Sequence, residues 1–255
     1  RSTLRNKLHK WNDDKGIGLN SGFGFGFGFM TTKKQSKRFQ DLWLERLVVI
    51  HKIADGIGYL HSRGMIHRDI NPDNVGFTDD GTVKLFDFGL VKCVGRENRV
   101  MTANHGEVNV DDSNAHLGSA SDENELFDLT SMTGTIRYMS PEVALGQPYG
   151  FKVDVYSLSI VMHEILSLNK PYIAIKDIDS FNREVMRGGQ RPPLDESWPP
   201  MIQDLLGRMW SSDSMERPSS REVVGILGQI LRGDDCDLFP SARGTRSRSS
   251  RSRGL

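Results

Sequence analysis

Three oxygen-bearing side chains stand out by type and spacing: Asp69, Asn74 and Asp87. They lie in two short runs, His67-Arg68-Asp69-Ile70-Asn71-Pro72-Asp73-Asn74 and Asp87-Phe88-Gly89. Asp69 offers a carboxylate that can take up or orient a proton. Asn74 and Asp87 offer hard oxygen ligands that suit magnesium, the carboxylate bringing charge and the amide completing the shell without overcharging it. Taken alone, Asp69 reads as a turn or helix-capping aspartate, because that use is commoner. Both runs together, in this order and at this short spacing, are far more specific than either.

The surrounding chain supplies elements that can hold these residues. Leu4, Leu8 and Trp11 are spaced for a short amphipathic helix, which Asn12-Asp13-Asp14 is expected to break. Leu47, Ile50, Ile53, Ala54, Ile57 and Leu60 predict a long helix from Phe39 to Arg63, stopped by Gly64. Asn74-Val75-Gly76-Phe77, a turn at Asp79-Asp80-Gly81, and Thr82-Val83-Lys84-Leu85-Phe86 predict a hairpin that returns Asp87 beside Asp69. Asp154-Val155-Tyr156-Ser157 opens a strongly apolar helix reaching about Leu168. Helical patterns follow through Phe181 and Val185, then through Ile202, Leu205, Leu206 and Met209. Ser219 and Glu222 form a capping box ahead of the last helix.

Composition narrows the class. The 255 residues carry 33 basic and 33 acidic side chains, so no global charge draws the chain to nucleic acid or membrane. Two distant cysteines, Cys93 and Cys236, make no disulfide framework and suit a reducing compartment. The polar, basic N-terminal stretch is no secretory signal, and the apolar run at 158–168 is interrupted by His163 and Glu164 and too short to span a bilayer.

Three stretches lack core-forming patterns. Residues 12–38 contain the repeat Gly22-Phe23-Gly24-Phe25-Gly26-Phe27-Gly28-Phe29 and a basic run, and read as a low-complexity insert. Residues 95–128 are irregular and acidic, with Glu97, Glu107, Asp111, Asp112, Asp122, Glu123, Glu125 and Asp128 against Arg96 and Arg99. The tail, 233–255, interleaves arginine with serine from Arg243 onward and is expected to be disordered.

The ordered series extends beyond the first two runs. Gly134-Thr135-Ile136-Arg137-Tyr138-Met139-Ser140-Pro141-Glu142, Asp154-Val155-Tyr156-Ser157 and Glu216-Arg217-Pro218 follow in turn. With them the chain resembles the eukaryotic protein kinase superfamily, over residues 1–11 and about 39–232. Its branch resembles the serine/threonine or tyrosine-kinase-like kinases. The resemblance implies a mainly helical C-terminal lobe, 39–232, with a small β-hairpin, part of a fold that is α+β as a whole. Residues 1–11 resemble the helix after the hinge, and the β-rich upper lobe is expected to be absent. The glycine repeat does not replace its nucleotide loop, since the position of the third glycine in G-x-G-x-x-G holds Phe27.

By resemblance, Asp69 orients the substrate hydroxyl, Asn74 and Asp87 hold magnesium with ATP, and Thr135 bonds the catalytic aspartate. Asn71 replaces the lysine usual two residues after that aspartate; it can donate a hydrogen bond to the transferring phosphate but brings no charge. Arg68 resembles the arginine that pairs with a phosphorylated residue, for which Ser131 and Thr133 are candidates. Glu142 with Arg217 resembles a buried anchoring pair, Asp154 the aspartate that holds the catalytic turn, and His67 a packing residue. The expected function is transfer of the ATP γ-phosphate to protein serine or threonine, by a cytoplasmic signalling enzyme or a fragment of one. A non-catalytic kinase-like interaction module is the alternative, favoured by Asn71 and the missing lobe. A nuclear or nucleic-acid role through residues 241–255 is the third.

Overall fold

The computed structural model describes residues 2–16, 33–95, 99–100 and 124–233. The glycine-phenylalanine repeat, most of the acidic insert and the arginine-serine tail lie outside the described residues. Helix α1, Leu4–Gly16, buries Leu4, Leu8 and Trp11. It runs through Asn12-Asp13-Asp14 without breaking. Asparagine and aspartate cost well under about 1 kcal/mol each in a helix, too little to end one anchored by a buried tryptophan.

Helix α2, Lys33–Ser62, starts ahead of the Phe39 expected from apolar spacing. Lys33, Lys34, Gln35, Lys37 and Arg38 are straight-chain helix formers, so propensity extends the helix beyond its apolar stripe. That stripe, Trp43, Leu47, Ile50, Ile53, Ala54, Ile57 and Leu60, is buried throughout. Gly64, at φ +68°, takes the left-handed turn that ends the helix.

Two small antiparallel sheets follow. Strands β2, Met65–Ile66, and β5, Lys92–Cys93, pair Met65 with Cys93 and Ile66 with Lys92. The stretch between them, which carries every residue of the two opening runs, is therefore clasped at both ends. The hairpin forms as β3, Val75–Phe77, on β4, Val83–Leu85, with Val75 opposite Leu85. A third strand, β1, Ser2–Thr3, pairs with β3 and completes the order β1-β3-β4.

The remaining elements are α3, Pro141–Ala144, α4, Lys152–Ser167, α5, Ile178–Phe181, continuing into a π-helical turn at Asn182–Arg187, α6, Pro200–Met209, and α7, Ser220–Arg232, with short 3-10 turns at Phe88–Leu90 and Ser214–Glu216. Helix α4 is buried from Lys152 to Leu166, on every face, as a central core helix must be. Two of its buried polar side chains tie it to neighbouring segments: Lys152 Nζ bonds Arg217 O at 2.6 Å and Ser157 Oγ bonds Tyr138 O at 2.8 Å. The capping box of α7 forms as its sequence predicts, with Ser219 Oγ accepting from Glu222 N and Glu222 from Ser219 N.

Of the acidic stretch 95–128, residues 95, 99–100 and 124–128 are described. Phe127 is buried and bridges both Arg99 and Tyr149, stacking edge-on against Phe151 at 6.1 Å. One aromatic side chain with a core to enter is enough to fix backbone that charge counting leaves irregular. Among the described residues no helix is long and apolar enough to cross a membrane.

Candidate active site

Asp154 builds the site from below. Its fully buried carboxylate accepts from His67 N at 2.8 Å, Arg68 N at 2.8 Å and His61 Nε2 at 2.9 Å. Burial alone would raise its pKa, but His61 and the peptide donors outweigh that and hold it below the usual carboxylate value. These bonds fix Arg68 in the left-handed region, φ +67°, a conformation that costs a non-glycine residue about 1–2 kcal/mol. The turn that presents Asp69 is thus strained and held.

His67 joins the two opening runs. Its buried ring accepts the Asp69 N–H at Nδ1, 3.4 Å, and its Nε2 donates to Phe86 O at 3.2 Å. It packs 5.5 Å from the Phe88 ring. It has the structural part that the resemblance implies. Phe86 N also bonds Asn74 O at 2.8 Å, so the hairpin returns Asp87 beside Asn74. Gly76 permits this: a Cβ there would stand 2.5 Å from Phe86 Cε2. Asp87 is exposed, at φ +56°, and accepts from Gly89 N at 3.2 Å.

The Asp69 carboxylate receives three donors. Oδ1 accepts from Asn71 Nδ2 at 2.9 Å and Thr135 N at 2.8 Å; Oδ2 accepts from Asn74 Nδ2 at 2.8 Å. A carboxylate oxygen has two lone-pair sites, so Oδ2 keeps acceptor capacity that Oδ1 has spent. Thr135 bonds Asp69 through its main chain, while its hydroxyl accepts from Asn71 Nδ2 at 3.1 Å. Asn71 is turned inward and almost fully buried, its Oδ1 accepting from Asp73 N at 2.9 Å and Asn74 N at 3.2 Å.

Sequence spacing gives no sign of a second polar cluster beside this one. Arg5, on α1, bonds Asp73 through Nε and Nη2 at 3.2 and 3.0 Å and Glu164 through Nη1 at 2.8 Å. Tyr138 donates to Glu164 at 2.6 Å. Arg5 holds Asp73 below the usual carboxylate pKa, while burial pushes Glu164 up against the opposing pull of Tyr138 and Arg5. The cluster ties α1 and α4 to the turn four residues beyond Asp69.

The segment around Thr135 is anchored at depth. Arg217 Nη1 and Nη2 bond Glu142 Oε1 and Oε2 at 2.6 and 2.9 Å, both side chains buried. Arg68 Nε donates to Leu90 O at 2.7 Å and Nη1 to Tyr149 Oη at 3.3 Å. Tyr149 Oη in turn donates to Thr130 O at 2.8 Å, next to exposed Ser131. Thr133 Oγ1 donates to Thr130 O and Ser131 O. Arg68 is therefore linked through the Tyr149 phenol to the Thr130 carbonyl, which also accepts from Thr133 Oγ1 and directly precedes Ser131.

Asn74 and Asp87 are the residues whose oxygens could hold a divalent cation. Asn74 Nδ2 faces the carbonyl and the carboxylate of Asp69, both acceptors, which fixes the amide orientation and leaves Asn74 Oδ1 as a free-facing ligand atom. Together with the Asp87 carboxylate it would make a two-residue oxygen set, a donor chemistry that suits magnesium because that ion keeps waters and phosphate oxygens for its other positions.

Comparison with known proteins agrees with this geometry. Residues 30–226 match the family model described as the protein kinase domain. The chain is 31% identical over 191 residues to Serine/threonine-protein kinase STY17 of Arabidopsis thaliana, covering 74% of this chain and 28% of that protein. It is also 31% identical over 193 residues to Mitogen-activated protein kinase kinase kinase 7 of Homo sapiens, covering 74% of this chain and 26% of that protein. The chain thus spans about a quarter of the length of these relatives.

Proposed function

This chain belongs to the protein kinase family, and on that premise we propose that it transfers the γ-phosphate of ATP to serine or threonine hydroxyls of proteins. The observation that carries the proposal is Asp69: a carboxylate pinned by three donors, with Oδ2 retaining a lone pair for one more. That is the arrangement a substrate hydroxyl needs, since phosphoryl transfer demands positioning more than covalent work. Asp69 orients the hydroxyl and accepts its proton. Thr135 and Asn71 hold Asp69 in place, and Asn74 and Asp87 are the residues that would hold magnesium. When bound, that ion supplies positive charge against the phosphate oxygens. The Arabidopsis thaliana relative, named a serine/threonine-protein kinase, supports serine or threonine as the acceptor. Ser131 and Thr133 are the proposed regulatory phosphorylation positions, with Arg68 as their cationic partner.

A second reading, a kinase-like module that docks partners without catalysis, is favoured by Asn71. Its amide is committed to Asp69 and Thr135, so no charge and no spare donor reaches a phosphate from this position. Manganese titration separates the two. Paramagnetic broadening centred on Asn74 and Asp87 in the presence of ATP, together with phosphate incorporation into a protein substrate, supports the first. Absence of both supports the second.

A further inference from the structure

A buried polar chain enters the catalytic turn from the far end of the sequence. Ser220 Oγ lies 3.0 Å from His61 Nδ1, and His61 Nε2 lies 2.9 Å from Asp154 Oδ2. Serine, histidine and aspartate in line have the composition of a nucleophilic triad, but here all three are sealed. Their exposures are 1%, 4% and 0%, so no substrate reaches the hydroxyl. What remains for such a chain is to hold something, and Asp154 is what holds the His67 and Arg68 amides.

The bond directions follow from the partners. Asp154 only accepts, so the His61 proton belongs on Nε2. In the neutral ring Nδ1 is then an acceptor, and the Ser220 hydroxyl donates to it. Ser220 is the first residue of α7, directly after the capping Ser219, and this capping box fixes its backbone. On the α2 side Gly58 has no side chain; a Cβ there would already lie 3.8 Å from Ser220 Oγ. The ring itself is braced by Phe151 at 5.1 Å.

We propose that Ser220 is a positioning residue of the catalytic turn: its hydroxyl, donating to Nδ1, fixes the orientation of the His61 ring, which keeps Asp154 aligned on the His67 and Arg68 amides. The consequence for Asp69 rests on the function proposed above, whereas the positioning does not, and a measurement free of ATP separates them. In the isotope-labelled 255-residue chain, long-range proton–nitrogen spectra should show His61 protonated at Nε2. Ser220→Ala should speed amide exchange at His67 and Arg68 by about tenfold beyond Val223→Ala, a control chosen to match its loss of global stability. Ser220→Thr, which keeps the hydroxyl, should restore protection to within about threefold of the wild-type chain. An Nδ1-protonated His61 in the wild-type chain overturns the proposal, as does equal acceleration in Ser220→Ala and the control. Should Ser220→Ala fail to fold, Ser220→Cys, which keeps the size and weakens the donor, takes its place in the same comparison, with the same outcomes.

Discussion

Asn71 Nδ2 stands 2.9 Å from Asp69 Oδ1 and 3.1 Å from Thr135 Oγ1, so one carboxamide clips the catalytic turn to the segment that follows it. Its carbonyl oxygen simultaneously caps Asp73 N and Asn74 N. Asn71→Ala removes all of these at once. It should cost about 1–3 kcal/mol of stability, because the Asp73 N–H loses its acceptor, the Asn74 N–H keeps only the Asn71 carbonyl, and Asp69 and Thr135 lose a buried donor. Phosphoryl transfer should fall on the order of a hundredfold, as when a charge-aligning donor is lost. Asn71→Lys supplies charge but no acceptor, so urea unfolding should show a similar destabilisation while transfer falls less than in the alanine variant.

The Glu142–Arg217 pair is the deep anchor of the Thr135 segment. Glu142→Ala leaves a guanidinium that is fully enclosed, and breaking one side of such a pair costs about 3–5 kcal/mol. The denaturant midpoint should drop accordingly. Arg208→Ala, which loses only an exposed pair with Asp204, should shift it by less than about 0.5 kcal/mol.

Gly134 adopts φ +100°, and a Cβ on it would collide with the Arg68 carbonyl and come within 3.3 Å of Asp69 Oδ1. Gly134→Ala should therefore destabilise by more than about 1 kcal/mol and disturb Asp69 directly. Gly207 is the opposite case, an exposed residue inside α6 with open space where a Cβ would go. Gly207→Ala should stabilise by about 0.5–1 kcal/mol. Thermal unfolding of the two variants checks both signs.

Two buried carboxylates give opposite pH dependence. Asp154 titrates below its usual range, so its contribution is fully present above the unfolded value of about 3.9 and is lost as pH falls through the lower folded value. Glu164 titrates above its usual range, so the native state binds its proton more tightly, and stability declines as pH rises from about 4.3 through the raised folded value. Urea midpoints between about pH 3 and pH 8 should show Asp154→Asn losing the acid-side fall and Glu164→Gln losing the decline above it.

Much of the site was legible because its motifs are short-range. The hairpin pairing Val75 with Leu85 and the capping box at Ser219 follow from residue order, while the anchoring of the turn by Asp154, 87 residues from His67, was implied only by the family resemblance. Side-chain direction was not legible: nothing in the run from His67 to Asn74 says that Asn71 points inward to Asp69 instead of outward to a phosphate. Nor does any spacing rule connect Arg5 with Asp73, 68 residues away, or with Glu164, 159 away. The early start of α2 escaped for another reason. Its first turns form from propensity without an apolar stripe, and periodicity detects only stripes.

The proposed phosphoryl transfer rests on Asp69. The measurement that tests it most directly is transfer of labelled γ-phosphate from magnesium-ATP to protein serine or threonine, by this chain and by Asp69→Asn side by side. The asparagine keeps the size and most contacts of the carboxylate but cannot take the hydroxyl proton. Transfer by the wild-type chain that falls about a hundredfold or more in Asp69→Asn is the predicted result. Equal signal from the two proteins would contradict it.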